Sequence, residues 1–243
     1  LKDLIITGGF TPEQTVLSDA DGFYSFEVTS NRSYFVRVQP PLPYLPTFWP
    51  TYPCLLGFSC DVIGLGNVTV GSGEIFVADV ALTTPGLISG QGVKDSDGQP
   101  VSGATVTATR INQPGQPSVY LNKTALSDEA GHYSVTGLPA GEYWIWIDAG
   151  DDYVQEQFDN VPCVDNCQSR GSDVTPVTVL ADENRDHTDF GLTDAARISG
   201  SIVEVGSAPL IAAVWARIYL DTGGTPDFVA GRGVLIGEKE FSF

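Results

Sequence analysis

The four cysteines are the residues whose spacing points most directly to chemistry. They form two close pairs, each preceded by a proline: Cys54 with Cys60, and Cys163 with Cys167. A zinc site would need four converging ligands, but the two pairs lie 109 residues apart and the chain has only two histidines, His132 and His187. We therefore predict that each pair closes a small disulfide loop, as is common in extracellular proteins.

Three Asn-x-Ser/Thr sequons could accept N-linked glycan. Their asparagines are Asn31, Asn67 and Asn122. Asn31 lies in a turn-forming SNRS sequence and Asn122 in a long loop, where a glycan would reach solvent, whereas Asn67 borders a predicted strand. We predict glycosylation where the source cell has the machinery, and chance occurrence of the motif is the alternative.

Acidic turns raise the question of calcium. The candidate ligands are Asp19 and Asp21 in DADG, and Asp95 and Asp97 in DSDG. Each turn offers two carboxylates, whereas calcium takes about six to eight oxygen ligands. Aspartate is also favoured in such turns because it bonds its own backbone. We therefore predict no metal or other cofactor, with calcium at these turns as the alternative.

Aromatic residues suggest a surface for binding. In EYWIWI the alternation of a strand places Trp144 and Trp146 together on one face. Two rings two residues apart suit a sugar platform or a subunit contact, unless a loop or the next repeat covers them. Tyr44 and Trp49 belong to a proline-rich aromatic segment between Pro40 and Cys54, which suggests either a recognition arm or a lid on its own domain.

Charge and motif content exclude several classes of function. Thirty acidic residues against 12 basic ones give a net charge of −18, which repels nucleic acid and anionic membranes. No apolar run reaches the roughly 20 residues of a membrane span, and no signal peptide is recognisable. The sequence contains no GxSxG, HExxH or phosphate-binding loop and no cysteine beside a histidine, so we predict a protein that is not an enzyme.

The segments around these residues alternate apolar and polar positions between turn signals, which is typical of strands. In VSGATVTATR the residues on one face are predicted to be buried: Val101, Ala104, Val106 and Ala108. DSDGQP, SDEAG and LPAGE each hold a turn former where the chain must reverse. The pattern predicts an all-β protein without helices.

The stretch from 88 to 147 resembles the carboxypeptidase regulatory-like repeat, a β-sandwich of the transthyretin (prealbumin) type that is related to collagen-adhesin B-type repeats. The matching residues are Ser89, Gly90, Asp97, Gly98, Pro100, Val101, Gly103, Ala104, Asp128, Gly131, Tyr133, Leu138, Pro139, Ala140, Gly141 and Tyr143. The arrangement FDNVPCVDNC also resembles a variant of these repeats in large secreted bacterial proteins. The resemblance implies tandem small Greek-key sandwiches that serve as spacer, stalk or adhesive modules.

A period of 109 residues runs through the chain. SDADGFYSF at 18 answers SDEAGHYSV at 127, Tyr34 answers Tyr143, and Cys54 answers Cys163. We predict three repeats, over residues 1–84, 85–195 and 196–243. The first is expected to lack its opening strands and the third its last strands, so neither end is a closed sandwich.

Two interpretations follow from the open ends. The chain is either a window of a longer array whose neighbours supply the missing strands, or a subunit that polymerises head to tail by strand donation, with LKDLIITGGF as one candidate donor. We predict an extracellular, cell-surface structural protein that forms a filament or stalk, with itself or neighbouring repeats and glycans as partners. The alternatives are a carbohydrate- or protein-binding adhesive module and non-catalytic repeats of a secreted hydrolase.

Overall fold

A computed structural model describes residues 3–7, 12–53, 66–113, 121–163, 167, 174–196, 198–201, 214–220, 227–234 and 240–242. All regular structure in these residues is β-strand, so the predicted all-β class is confirmed. No helix that could cross a membrane occurs in this part of the chain.

The first sheet has the order β2-β1-β3-β4-β5, with β6 beside β3. Its strands are β1 (Asp3–Thr7), β2 (Pro12–Leu17), β3 (Arg32–Gln39), β4 (Thr47–Phe48), β5 (Tyr52–Pro53) and β6 (Val68–Val70). Buried Tyr34, Val36 and Val68 form a small core, against which Tyr24, Phe26 and other apolar side chains pack. We call residues 3–84 the first sandwich.

The central sandwich consists of two sheets built from residues 86–192. One sheet contains β7 (Gly86–Lys94), β10 (His132–Leu138), β15 (Asn184–Arg185) and β16 (Phe190–Leu192). The other contains β8 (Thr105–Arg110), β9 (Asn122–Leu126), β11 (Gly141–Asp148), β12 (Glu156–Gln157), β13 (Val161–Pro162) and β14 (Val177–Val179).

The core of the central sandwich lies between these two sheets. The apolar face predicted for VSGATVTATR is buried at all four positions, Val101, Ala104, Val106 and Ala108. Alternate residues of β11, namely Tyr143, Ile145 and Ile147, are fully buried against it. Strand periodicity therefore located the inner faces of both β8 and β11.

Two short ladders follow the central sandwich. β17 (Ser199–Ser201) pairs with β20 (Glu240–Ser242), and β18 (Val214–Leu220) pairs with β19 (Asp227–Val234), both antiparallel. In β17, Gly200 is opposite Phe241, just as Gly90 of β7 is opposite Tyr133 of β10. β17 and β20 therefore repeat the pairing of β7 and β10.

The pairing of β1 corrects one expectation from the sequence. The DLIIT segment, proposed as a donor strand, lies between β2 and β3 of its own sheet. β8 lies in the same way between β9 and β11 of the central sandwich. β1 therefore takes the place of β8, and among the described residues of the first sandwich only β7 has no counterpart position filled.

Candidate functional site

β7 is the middle strand of its sheet and pairs on both sides. It runs antiparallel to β10 and parallel to β15 and β16. Ile88 is opposite Val135 on one side and Arg185 on the other, and its side chain is fully buried. β7 therefore joins the two edges of this sheet.

The first sandwich contains segments that correspond to the two sides of β7, namely to β10 and to β15 and β16. Within the described residues, no strand lies between these segments. By the repeat of 109 or 110 residues, segment 23–29 corresponds to β10 and segment 75–83 to β15 and β16. Neither segment forms a strand. We call the space between segments 23–29 and 75–83 the open strand position.

Hydrogen bonds place both segments where their counterparts lie in the central sandwich. Asp19 Oδ1 accepts from the amide of Phe23 at 2.8 Å, as Asp128 Oδ1 does from that of His132 at 2.8 Å. The second segment is tied down in the same way: the amide of Leu45 donates to the carbonyl of Thr83 at 2.9 Å. The corresponding bond in the central sandwich joins Val154 and Thr193, at 3.0 Å.

A tyrosine bond spans the open strand position. The hydroxyl of Tyr24 donates to the carbonyl of Ala78, as the hydroxyl of Tyr133 does to that of Thr188. Burial, and secondarily the Asp79 carboxylate, raise the pKa of Tyr24, so its hydroxyl keeps its proton at neutral pH. The two edges are therefore connected without a strand between them.

Exposed apolar side chains flank the open strand position. Phe23, Ile75 and Val77 are 74%, 90% and 70% exposed. Phe26 and Phe76 correspond to Val135 and Arg185, the neighbours of Ile88 in the central sandwich. An apolar side chain at the open strand position would therefore lie between two phenylalanines.

Glycine is required where β7 passes the tyrosine bond. A Cβ at Gly90 would lie closer to the carbonyl oxygen of Thr188 than real Cβ atoms come, and 3.0 Å from the hydroxyl of Tyr133. Because the obstacle is mainly backbone, a rotamer change cannot relieve it. The matching bond between Tyr24 and Ala78 imposes the same condition on any strand in the open position.

Trp144 and Trp146 share the outer face of β11, as the sequence predicted. Trp144 is opposite Thr109 and Trp146 is opposite Thr107, and both indoles are partly exposed. Gln157 of β12 is opposite Trp146 on the other side. Sequence periodicity missed that Thr107 and Gln157 are buried on this outer face.

A disulfide joins Cys163 and Cys167, with a Cα–Cα distance of 5.2 Å. Cys167 lies next to the outer face of the sheet, because the side-chain amide of Gln157 donates to the carbonyl of Cys167 at 2.7 Å. Cys167 is therefore near the Trp146 end of the aromatic face, since Gln157 is opposite Trp146. The predicted pair Cys54 and Cys60 lies outside the described residues.

The other aromatic candidates belong to the first sandwich. Trp49 packs against its core, and its indole meets the Phe76 ring edge-on at a centroid distance of 5.3 Å. Tyr44 is exposed. Trp49 thus acts as part of a lid on its own domain, whereas a role for Tyr44 in recognition stays a prediction.

All three sequon asparagines, Asn31, Asn67 and Asn122, are exposed. The first two sequons are neighbours, because the hydroxyls of Ser33 and Thr69 are hydrogen bonded at 2.8 Å across β3 and β6. Asn122 is opposite Thr109 and thus belongs to the same cross-strand row as Trp144. Glycosylation stays a prediction at each site.

The acidic turns use carboxylates to organise the backbone. Asp19 Oδ1 accepts from two turn amides, and Asp97 Oδ1 accepts from the amide of Gln99 at 3.0 Å. Asp95 instead accepts a hydrogen bond from the hydroxyl of Thr193 at 3.1 Å. Within the described residues, no three acidic, histidine or cysteine side chains converge as a metal site. Calcium binding at Asp19, Asp21, Asp95 or Asp97 stays a prediction.

Glu156 is a buried carboxyl that sequence reasoning did not single out. Its Oε1 accepts from the amide of Thr193 at 3.4 Å, and its Oε2 is buried without a hydrogen-bond partner. Burial raises the pKa of Glu156, and the nearby Asp95 adds to the rise, while the amide of Thr193 lowers it. In the first sandwich the same position holds Thr47, whose hydroxyl donates to the carbonyl of Leu45.

We expect Glu156→Gln to stabilise the central sandwich by about 1 kcal/mol at neutral pH, because it removes an unpaired buried charge. In the wild type the folded carboxyl holds its proton more tightly than the unfolded one, so stability falls as pH rises past the ordinary glutamate pKa. Urea unfolding between pH 4 and 8 should show this fall for the wild type and a flatter profile for the variant. Glu129→Gln, at an exposed position, serves as the control, and equal profiles for Glu156→Gln and wild type would refute the prediction.

The fold and the repeated pairings define the chain as a set of β-sandwich repeats. Residues 88–192, which form most of the central sandwich, match the family model of the carboxypeptidase regulatory-like domain. The relatives include serine-aspartate repeat-containing protein D of Staphylococcus aureus, 28% identical over 73% of this chain. The chain spans 14% of the length of that relative.

Solved structures with similarity to this chain include a minor pilin and a second bacterial protein. The minor pilin GBS52 of Streptococcus agalactiae overlaps with a TM-score of 0.34 at 13% identity, covering 85% of each chain. The TIE protein of Bacillus anthracis overlaps with a TM-score of 0.32 at 16% identity, covering all of this chain and 40% of that one.

Proposed function

We propose that this chain is an extracellular structural protein, a repeat unit of a bacterial surface filament or stalk that assembles head to tail by strand complementation. The observation that carries this proposal is the open strand position, where the first sandwich presents both neighbours of a strand that the central sandwich contains. The similarity to serine-aspartate repeat-containing protein D supports the structural or adhesive part of the role.

Strand addition suits a load-bearing assembly on physical grounds. An inserted strand forms backbone ladders on both sides of the open strand position and removes two unpaired edges. Each ladder bond contributes about 1 kcal/mol net, and many act together along the strand. Glycan on Asn31, Asn67 or Asn122 would shield the surrounding surface from proteases.

Sedimentation velocity over a wide concentration range tests the assembly. We expect wild-type chain to form a series of multimers of the 25.9 kDa unit, because each copy that donates a strand still offers its own open position. Native and denatured masses of material from the source cell provide a second measurement. A single monomeric species at every concentration would rule out head-to-tail assembly.

A carbohydrate-binding adhesive module is the second candidate, favoured by the outer face of β11. Trp144 and Trp146 lie two residues apart on that face, with Gln157 and Cys167 at the Trp146 end. Indole rings stack on sugar faces, while neighbouring hydroxyl and amide groups hydrogen bond to sugar hydroxyls.

If this face binds carbohydrate, Trp144→Ala and Trp146→Ala should each weaken binding to a glycan array at least tenfold. A tenfold change corresponds to a loss of about 1.4 kcal/mol of binding free energy. Thr136→Ala, on the exposed side of β10 in the other sheet, is the matched control and should bind as wild type does. A glycan array without any signal for wild-type protein would remove this candidate.

A further inference from the structure

We infer that the central sandwich binds a calcium ion between the carboxylates of Asp95 and Glu156, with the hydroxyl of Thr193 as a further ligand. Of the calcium candidates predicted from the sequence, only Asp95 belongs to this site. The site is separate from the open strand position, and calcium binding there does not depend on head-to-tail assembly.

Parallel strands bring two of the three residues together. β7 ends at Lys94 and β16 ends at Leu192, and these two residues are opposite each other. Asp95 and Thr193, the next residues, therefore emerge at the same edge of the sheet, where the hydroxyl of Thr193 donates to Asp95 Oδ2 at 3.1 Å. Glu156, the first residue of β12 in the other sheet, reaches the same point, because its Oε1 accepts from the amide of Thr193 at 3.4 Å.

The carboxyl of Glu156 lacks the partner that its burial requires. Glu156 is only 3% exposed, and its Oε2 is buried without a hydrogen-bond partner among the described residues. Burial raises the pKa of Glu156, and the charge of Asp95 adds to the rise. A cation beside Oε2 would supply a bond where a hydrogen bond is missing and would neutralise both carboxylates.

The surrounding side chains leave the charge of this pair unbalanced. No lysine, arginine or histidine among the described residues forms an ion pair with Asp95 or Glu156. Lys94, the nearest in sequence, pairs with Asp194 at 3.7 Å, and its ammonium lies 5.3 Å from the centre of the Tyr153 ring. Because Asp95 is exposed, an ion from solvent can reach the pair from its side.

The donor set suits calcium better than other divalent ions. The available donors are all oxygens, from two carboxylates and a hydroxyl, and calcium completes irregular shells of this kind with water. Zinc and copper favour nitrogen or sulfur ligands, and magnesium demands near-ideal octahedral geometry. With so few protein ligands we expect a dissociation constant of about 0.1 to 1 mM, the range of extracellular calcium modules.

This site differs from a calcium loop built from the DSDG turn alone. Asp97 Oδ1 accepts from the amide of Gln99 at 3.0 Å and thereby organises the turn. Asp97 is therefore expected to contribute little to calcium binding. In the first sandwich the position of Glu156 holds Thr47, which has no charge to attract an ion, so the inference concerns the central sandwich alone.

NMR titration of the full chain, labelled with nitrogen-15, with CaCl2 tests the site. In wild type the amide resonances of Asp95 and Thr193 should shift and saturate, with a dissociation constant of about 0.1 to 1 mM. Glu156→Gln should weaken this binding by about tenfold or more, since even residues that only orient a metal ligand contribute that much. Asp97→Asn, which removes the same charge within the turn, is the matched control and should bind as wild type does.

Urea unfolding gives a second measurement, which needs no resonance assignment. In EDTA, Glu156→Gln should unfold at a higher urea concentration than wild type, because it removes an unpaired buried charge. In about 10 mM CaCl2 the midpoint of wild type should rise while that of the variant stays the same, because only the wild-type folded state binds the ion.

The inference is wrong if CaCl2 leaves the Asp95 and Thr193 resonances unchanged, or if Glu156→Gln binds calcium as tightly as wild type. Loss of binding in Asp97→Asn but not in Glu156→Gln would place calcium in the DSDG turn and likewise overturn it. Equal shifts with MgCl2 at the same concentrations would mean unspecific screening of charge rather than a calcium site. A monomeric chain that binds calcium would refute head-to-tail assembly only, so the two proposals fail separately.

Discussion

Gly90→Ala is expected to destabilise the central sandwich by about 3 kcal/mol, although it adds only one methyl group. The new Cβ would be forced against the carbonyl oxygen of Thr188. Two hydrogen bonds, one at its amide and one at its carbonyl, keep Thr188 in place. The amide of Thr188 donates to the carbonyl of Ser89 at 3.1 Å, and the hydroxyl of Tyr133 donates to the Thr188 carbonyl. To admit the methyl group, β7 must separate from one of its neighbours.

Urea unfolding combined with peptide-level hydrogen exchange measures this effect. Exchange in β10 and β16 should accelerate in the Gly90→Ala protein, while β1 to β3 of the first sandwich stay as in wild type. Gly98→Ala is the matched control, because nothing lies within 4 Å of its Cβ and only its φ of +69° is unfavourable. That strain costs about 1 kcal/mol, so an equal loss in both variants would contradict the steric explanation.

Ile145→Ala is expected to destabilise the central sandwich by about 3 to 4 kcal/mol. Ile145 is fully buried at the middle of β11, opposite Ala108, and belongs to the main apolar core. Removing its side chain leaves a cavity whose walls are two hydrogen-bonded sheets, and these cannot collapse freely.

Urea unfolding followed by tryptophan fluorescence is the measurement, since Trp144 and Trp146 flank Ile145 and report on this sheet. Thr178→Ala, on the exposed side of β14, should change stability by no more than about 0.5 kcal/mol. A change of under about 1 kcal/mol for Ile145→Ala would mean that this position is not part of a close-packed core.

Local patterns determined much of this protein from the sequence alone. Alternation in VSGATVTATR and EYWIWI placed Ala108 and Ile145 on inner faces, and the acidic turn at Asp128 had the same form as the turn at Asp19. The 109-residue period predicted that β3 to β6 would repeat β11 to β14, and the residues of the carboxypeptidase regulatory-like pattern predicted the family model that residues 88–192 match. These features depend on residue type and spacing within a few positions.

Only the tertiary structure decided which strand is missing and what surrounds its place. Alternation in DLIIT predicts a strand but not its partners, because ladder bonds join residues far apart in sequence, and the structure pairs it inside its own sheet. The bond between Tyr24 and Ala78 spans 54 residues, and the burial of Glu156 depends on Thr193 from a distant segment. Such contacts form between segments that are far apart in the chain. They cannot be predicted from local sequence patterns, because they depend on how the strands and sheets pack.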